Sequence, residues 1–98
     1  MSAYDKLTAI ILSNPDLLFD NDGYENLHSS IVERNKPAIK QVEEILSSCV
    51  KGFVRFQNFK PRKNGEISVR CQLYYDDQRT FIGVEYIPLG WFKERESN

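Results

Sequence analysis

The spacing of apolar positions changes once along this chain, near residue 52. Before it, apolar side chains recur every three to four residues; after it, they alternate with polar ones. Tyr4, Leu7, Ile10 and Ile11 have helical spacing. Ser2 stands where an N-cap belongs, with Asp5 three residues on as a weak capping-box partner. Asn14-Pro15 ends this helix, because the residue before proline is pushed out of the helical region. Pro15 to Asp20 can form one further turn, and 20–30 reads as a loop leading to Ile31 and Val32. Asn35 is placed to cap a second helix, with Pro37 tolerated in its first turn. Ile39, Val42, Leu46 and Cys49 form its apolar stripe, flanked by Ile45 and Val50, and Gly52 ends it.

Three strands follow, at about 53–60, 66–75 and 79–87. Asn64-Gly65 is a hairpin signal between the first two, and Asp76 to Arg79 turns between the second and third. Pro88 closes the last strand. The predicted fold is a single α+β domain over 1–98, with two N-terminal helices packed on one face of a three-stranded antiparallel meander. The helical stripe is expected to meet Val54, Phe56, Val69, Cys71, Leu73, Ile82 and Val84, with Tyr86 also inward. The second face would then carry Arg55, Gln57, Phe59, Ser68, Arg70, Gln72, Tyr74, Arg79, Phe81 and Glu85. Beyond the last strand, Trp91 and Phe92 either close over the core or remain as an exposed apolar patch.

Composition adds constraints. Of the 98 residues, 41% are hydrophobic and 28% charged, ordinary values for a globular chain. No apolar run reaches the length of a membrane span, and the N-terminal segment, with Asp5 early, reads as a folded helix, not a signal peptide. The net charge is −1 but unevenly spread: residues 1–50 hold four basic and eight acidic residues, and residues 51–98 hold nine and six. Between 51 and 70 the only acidic residue is Glu66, against Lys51, Arg55, Lys60, Arg62, Lys63 and Arg70. Cys49 and Cys71 are too few for a disulfide scaffold and read as reduced thiols of a cytoplasmic protein.

Motifs with chemical meaning are scarce. Lys51 to Phe56, "KGFVRF", matches the RNP1 signature of RNA-recognition motifs with two internal positions deleted. Arg55 stands where a stacking aromatic is needed, and a helix precedes the segment where that fold needs an earlier strand, so the family is not carried over. Leu18 to Ser29 resembles a calcium loop but lacks the ligands at both ends, and the chain has no C-x-x-C, so no metal site is expected. His28 with Asp22 and Ser29 or Ser30 does not make a catalytic triad at such close spacing. Glu43 and Glu44 read as a solvated helix face, and Asp76-Asp77 as turn chemistry. Arg55, Arg70, Tyr74 and Glu85 are the one cluster a His-independent ribonuclease could use.

The resulting expectation is a small non-catalytic protein without cofactor that binds a protein partner as an inhibitor, immunity or anti-defence factor, or accessory subunit. Its candidate contact residues are Arg55, Phe59, Arg62, Lys63, Arg70, Tyr74, Arg79, Phe81 and Trp91, where arginine and aromatic anchors coincide. The alternative is a nucleic-acid-binding domain using the basic 51–70 region. Strand edges offer a route to homodimers.

Overall fold

A computed structural model describes residues 2–19, 27–50, 52–75 and 77–94, with backbone alone at 94. The elements are α1 (Ala3–Ser13), a 3-10 turn (Pro15–Leu17), α2 (Ser29–Arg34), α3 (Lys36–Cys49), β1 (Phe53–Pro61), β2 (Ile67–Tyr74), β3 (Phe81–Pro88) and α4 (Leu89–Glu94). The strands form an antiparallel sheet in the order β1-β2-β3. The α+β class, the N-terminal helices against the sheet and the meander are as the sequence predicts. No helix among the described residues is long and apolar enough to cross a membrane.

Ser2 caps α1 as expected, its Oγ accepting from the Asp5 amide at 3.1 Å. Asn35 takes a different role. Its side chain does not cap α3; it donates to the Ile31 carbonyl at 2.8 Å and to the Asp16 carboxylate at 3.2 Å. That buried amide ties the end of α2 to the 3-10 turn. The sequence shows no start signal for α2 because its cap is His28, whose Nδ1 accepts from the Ser30 amide. Gly52 follows α3 at φ +104°, and a Cβ there would stand 2.8 Å from the Tyr74 carbonyl oxygen, so the helix-to-strand crossing requires glycine.

One core lies between the helices and a single sheet face. Leu7, Ile10 and Ile11 of α1, Ala38, Val42 and Leu46 of α3, and Leu89 and Phe92 of α4 meet Val54, Phe56, Phe59, Val69 and Cys71. Phe59 corrects the sequence reading, which put it on the opposite face: it is 0% exposed. The cause is a β-bulge. Phe56 pairs with Cys71 and Asn58 with Arg70, so Gln57 is an extra residue and the alternation of β1 inverts after it. A second irregularity, between Leu73 and Tyr74 of β2, leaves Ile82 without a counterpart and corrects β3: Val84 and Tyr86 share the face of Gln72 and Arg70, while Gly83, Glu85 and Ile87 turn to the core side. Ile82, Val84 and Tyr86, expected inside, are exposed. The C-terminal tail closes the core, with Phe92 at 0% exposure and Trp91 half-buried edge-to-face on it at 5.0 Å.

The outer edge of β1 is occupied. The Phe19 amide donates to the Phe59 carbonyl at 2.9 Å, beside a parallel bridge from Leu18 to Phe59. Nearer the bulge, Glu43 accepts from the Phe56 amide at 2.9 Å. Glu43 thus belongs to the helix–strand junction instead of a solvated face.

The bulge makes a direct prediction about stability. Phe59→Ala destabilises the domain by about 3–5 kcal/mol, as large-to-small changes in cores do, and Leu46→Ala by about 2–5 kcal/mol. Lys40→Ala, on the exposed side of α3, changes it by less than about 0.5 kcal/mol. Chemical denaturation of the three variants measures this; a Phe59→Ala protein as stable as Lys40→Ala would show the parity of β1 to be uninverted.

Candidate binding face of the sheet

The strand register arranges the face opposite the core in four transverse rows. Phe53, Tyr74 and Phe81 form the first; Arg55, Gln72 and Val84 the second. Asn58, Arg70 and Tyr86 form the third, and Lys60, Ser68 and Pro88 the fourth. None of these residues is acidic. A sheet face turned away from the core is normally polar, yet this one leaves Phe81 51%, Val84 39% and Tyr86 44% exposed.

The rows differ in chemistry. In the first, Tyr74 packs edge-to-face on Phe53 at 6.2 Å and on Phe81 at 5.6 Å, giving an aromatic band across all three strands. The Tyr74 hydroxyl donates to Gln72 Oε1 at 3.3 Å. Arg55 lies 5.7 Å from the Phe53 ring centre, joining the second row to the band. In the third row the Arg70 guanidinium is 6.0 Å from the Tyr86 ring, and Arg62, arriving from the β1–β2 turn, is 5.8 Å from the same ring. Two guanidinium groups therefore converge on one exposed tyrosine. Arg70 is only 8% exposed and Asn58 2%, although they face away from the core. Asn58 Nδ2 donates to the Phe19 carbonyl at 3.3 Å.

Of the residues predicted for the site, Arg55, Arg70, Tyr74 and Phe81 share this face, and Arg62 folds onto it. Phe59 is in the core. Trp91 belongs to the α4 cover of the core on the opposite side. Lys63 and Arg79 are exposed in the two turns and lie on neither face. Val84 and Tyr86 share this face and were missed, because their alternation reads as inward until the β3 irregularity is known. The proposed ribonuclease cluster is divided: Glu85 pairs with Cys71 on the core side, across the sheet from Arg55, Arg70 and Tyr74.

The remaining candidate sites resolve simply. His28 Nδ1 lies 2.8 Å from Ser30 Oγ and acts as a helix cap. The centre of the calcium-loop reading, 20–26, falls outside the described residues, and among the described residues no cluster of His, Cys, Asp and Glu could hold a metal. Asp77 organises the β2–β3 turn, accepting from the Arg79 and Thr80 amides and, at 2.7 Å, from the Thr80 hydroxyl. Beside β1, an open groove of about 750 Å³ lies between α3 and the bulge; Lys36, Lys40, Glu43 and Gln57 line it, and it meets the open face at Arg55 and Gln72.

No protein-family model, curated protein or solved structure matches this chain.

Two titrations test the geometry. The Thr80 amide, then its hydroxyl and the Arg79 amide, hold the Asp77 carboxyl below its ordinary value. Its folded-state value being depressed, the turn is stabilised above the usual carboxylate range and loosens as pH falls through the folded value. The protection of the Thr80 amide, its exchange rate relative to the intrinsic rate at each pH, should therefore fall at acid pH, and Asp77→Asn should remove that dependence. Burial, and then the charge of Glu85, push the Cys71 thiol up to about 11. Native protein should accordingly show one slow-reacting thiol, Cys71, and one faster, Cys49, because thiolate is the reactive form. Equal alkylation rates in folded protein would contradict the placement of Cys71.

Proposed function

We propose that this chain is a non-catalytic binding module whose open sheet face docks an acidic protein surface. One observation carries the reading: Arg55, Arg62 and Arg70 are gathered on a face without a carboxylate among the residues of its rows, beside exposed Phe81, Val84 and Tyr86. Apolar and aromatic side chains supply buried area on association, and the one-signed charge selects the partner and steers its approach. The chain as a whole is close to neutral, so the positive charge of the face is balanced by acidic residues elsewhere in the sequence.

A single-stranded nucleic acid would use the same cations with free ring faces for stacking. The aromatic band favours that occupant less, since Phe53 and Tyr74 are half-buried and held edge-to-face with their neighbours. The exposed aliphatic Ile82 and Val84 also suit a protein better than a base. A division of the candidate ribonuclease carboxylate from its arginines supports a non-catalytic role. Cytoplasmic residence, with two unpaired thiols in its favour, forms part of the same reading.

The test is affinity capture from nuclease-treated lysate with wild-type protein and with Phe81→Ala. A specific protein partner should be retained by wild type, released by rising salt, and weakened by about 1–4 kcal/mol in the variant, the range of an interface anchor. Capture that depends on nucleic acid, or that Phe81→Ala leaves unchanged with the fold intact, overturns the proposal.

A further inference from the structure

We infer that Arg70 and Arg62, on either side of contact with Tyr86, form an anchor site for a carboxylate of the partner. This rests on the reading of the open face as a protein-docking surface and names what that surface grips.

The argument begins with a cost. Arg70 is more than nine-tenths buried, and its Nε has no hydrogen-bond partner among the described residues. Among the described residues no carboxylate is paired with Arg70; the Arg34–Asp16 ion pair lies elsewhere in the fold. Burying a charge without a counter-ion is expensive, and a guanidinium, unlike an amine, cannot escape by losing its proton. Asn58, directly across in register, turns its amide nitrogen to the Phe19 carbonyl, and its Oδ1 is likewise without a partner. Arg62 adds a second cation against the same tyrosine ring. Two like charges directed at one ring repel; an oxyanion shared between them removes that repulsion and fills the donor fork of Arg70.

The surrounding rows choose the carrier of the oxyanion. Along β2, Tyr74 in the aromatic band and Arg70 are four residues apart on the same face, about 13–14 Å at the rise of a strand. An extended peptide segment places side chains i and i+4 at the same separation. The matching ligand is therefore an extended acidic segment with a bulky apolar residue four positions from Asp or Glu. Its apolar side chain meets the band at Phe81, and its carboxylate enters between Arg70 and Arg62.

The probe is a capped peptide holding Phe and Glu four residues apart in a Thr- and Ser-rich background, with a Gln-for-Glu peptide as control. Binding is read by titration and by the Nε–Hε resonance of Arg70 in ¹⁵N-labelled protein. The Glu peptide should move that resonance saturably, and the Gln peptide should bind about 10- to 100-fold more weakly, the value of a charge-assisted hydrogen bond. Arg62→Gln, an exposed position that does not threaten folding, should cause a loss of similar size; Arg70→Lys should lose the peptide because the fork is lost. Absence of Glu-peptide binding, equal binding of the two peptides, or undiminished binding by Arg62→Gln would overturn the anchor. The face reading would survive those results if Phe81→Ala still weakened capture of a protein partner. Displacement of the peptide by oligothymidylate, with oligothymidylate the tighter ligand at Arg70, would overturn both.

Discussion

The packing of the core against the sheet turns on one inserted residue in β1. Gln57 stands opposite nothing, and the alternation of side chains reverses across it. Val54 and Phe56 reach the core before the bulge and Phe59 reaches it after, so a strand with two apolar phases fills one core without a gap. The same reversal turns Asn58 to the open face beside Arg70. Without it, either Phe59 or Phe56 would lie in water, and a polar amide would enter the core at a cost of a few kcal/mol. The Glu43 carboxylate on the Phe56 amide holds the strand where the ladder is interrupted, so helix α3 supports the bulge as well as covering the core.

A consequence is that charge and apolarity are distributed by face more sharply than by sequence. The half-to-half asymmetry of the chain looks modest, yet the sheet collects cations on one side while Glu85, the acidic residue of β3, points away. Near-neutral proteins can in this way carry a strongly one-signed surface, and it is the local field that a binding partner meets.

The legible parts were those where local chemistry and tertiary packing agree. Ser2, Asn14-Pro15 and the Val42–Leu46 stripe announce α1 and α3, and Asn64-Gly65 announces the first hairpin, where Gly65 adopts φ +86°. Strand positions came out within a residue or two. Facing did not, for a definite reason. Alternation identifies an inward side only if the outward side is polar, and Val84 and Tyr86 are apolar residues left outside. The bulge at Gln57 carries no glycine or proline to mark it, and at Ile82 the one signal is the neighbouring Gly83 inside the strand. Helix α2 was hidden by its histidine cap and by its dependence on Asn35, a residue whose side chain looked like a cap for the following helix and is a strut for the preceding one. Of the site, the arginines and Tyr74 could be read on β1 and β2, while the β3 contribution required the register.

The two edges of the sheet are unequal. Phe19 and Glu43 occupy backbone positions on the outside of β1, whereas no strand among the described residues pairs with the outside of β3. Stacking of strands into an endless ribbon needs two free edges on every copy, each offering amides and carbonyls. A chain with one of the two blocked can join a neighbour once and then has nothing left to offer, so any edge-on growth terminates at a pair. The carboxylate that steadies the bulge thus also takes up an edge amide that an added strand would need.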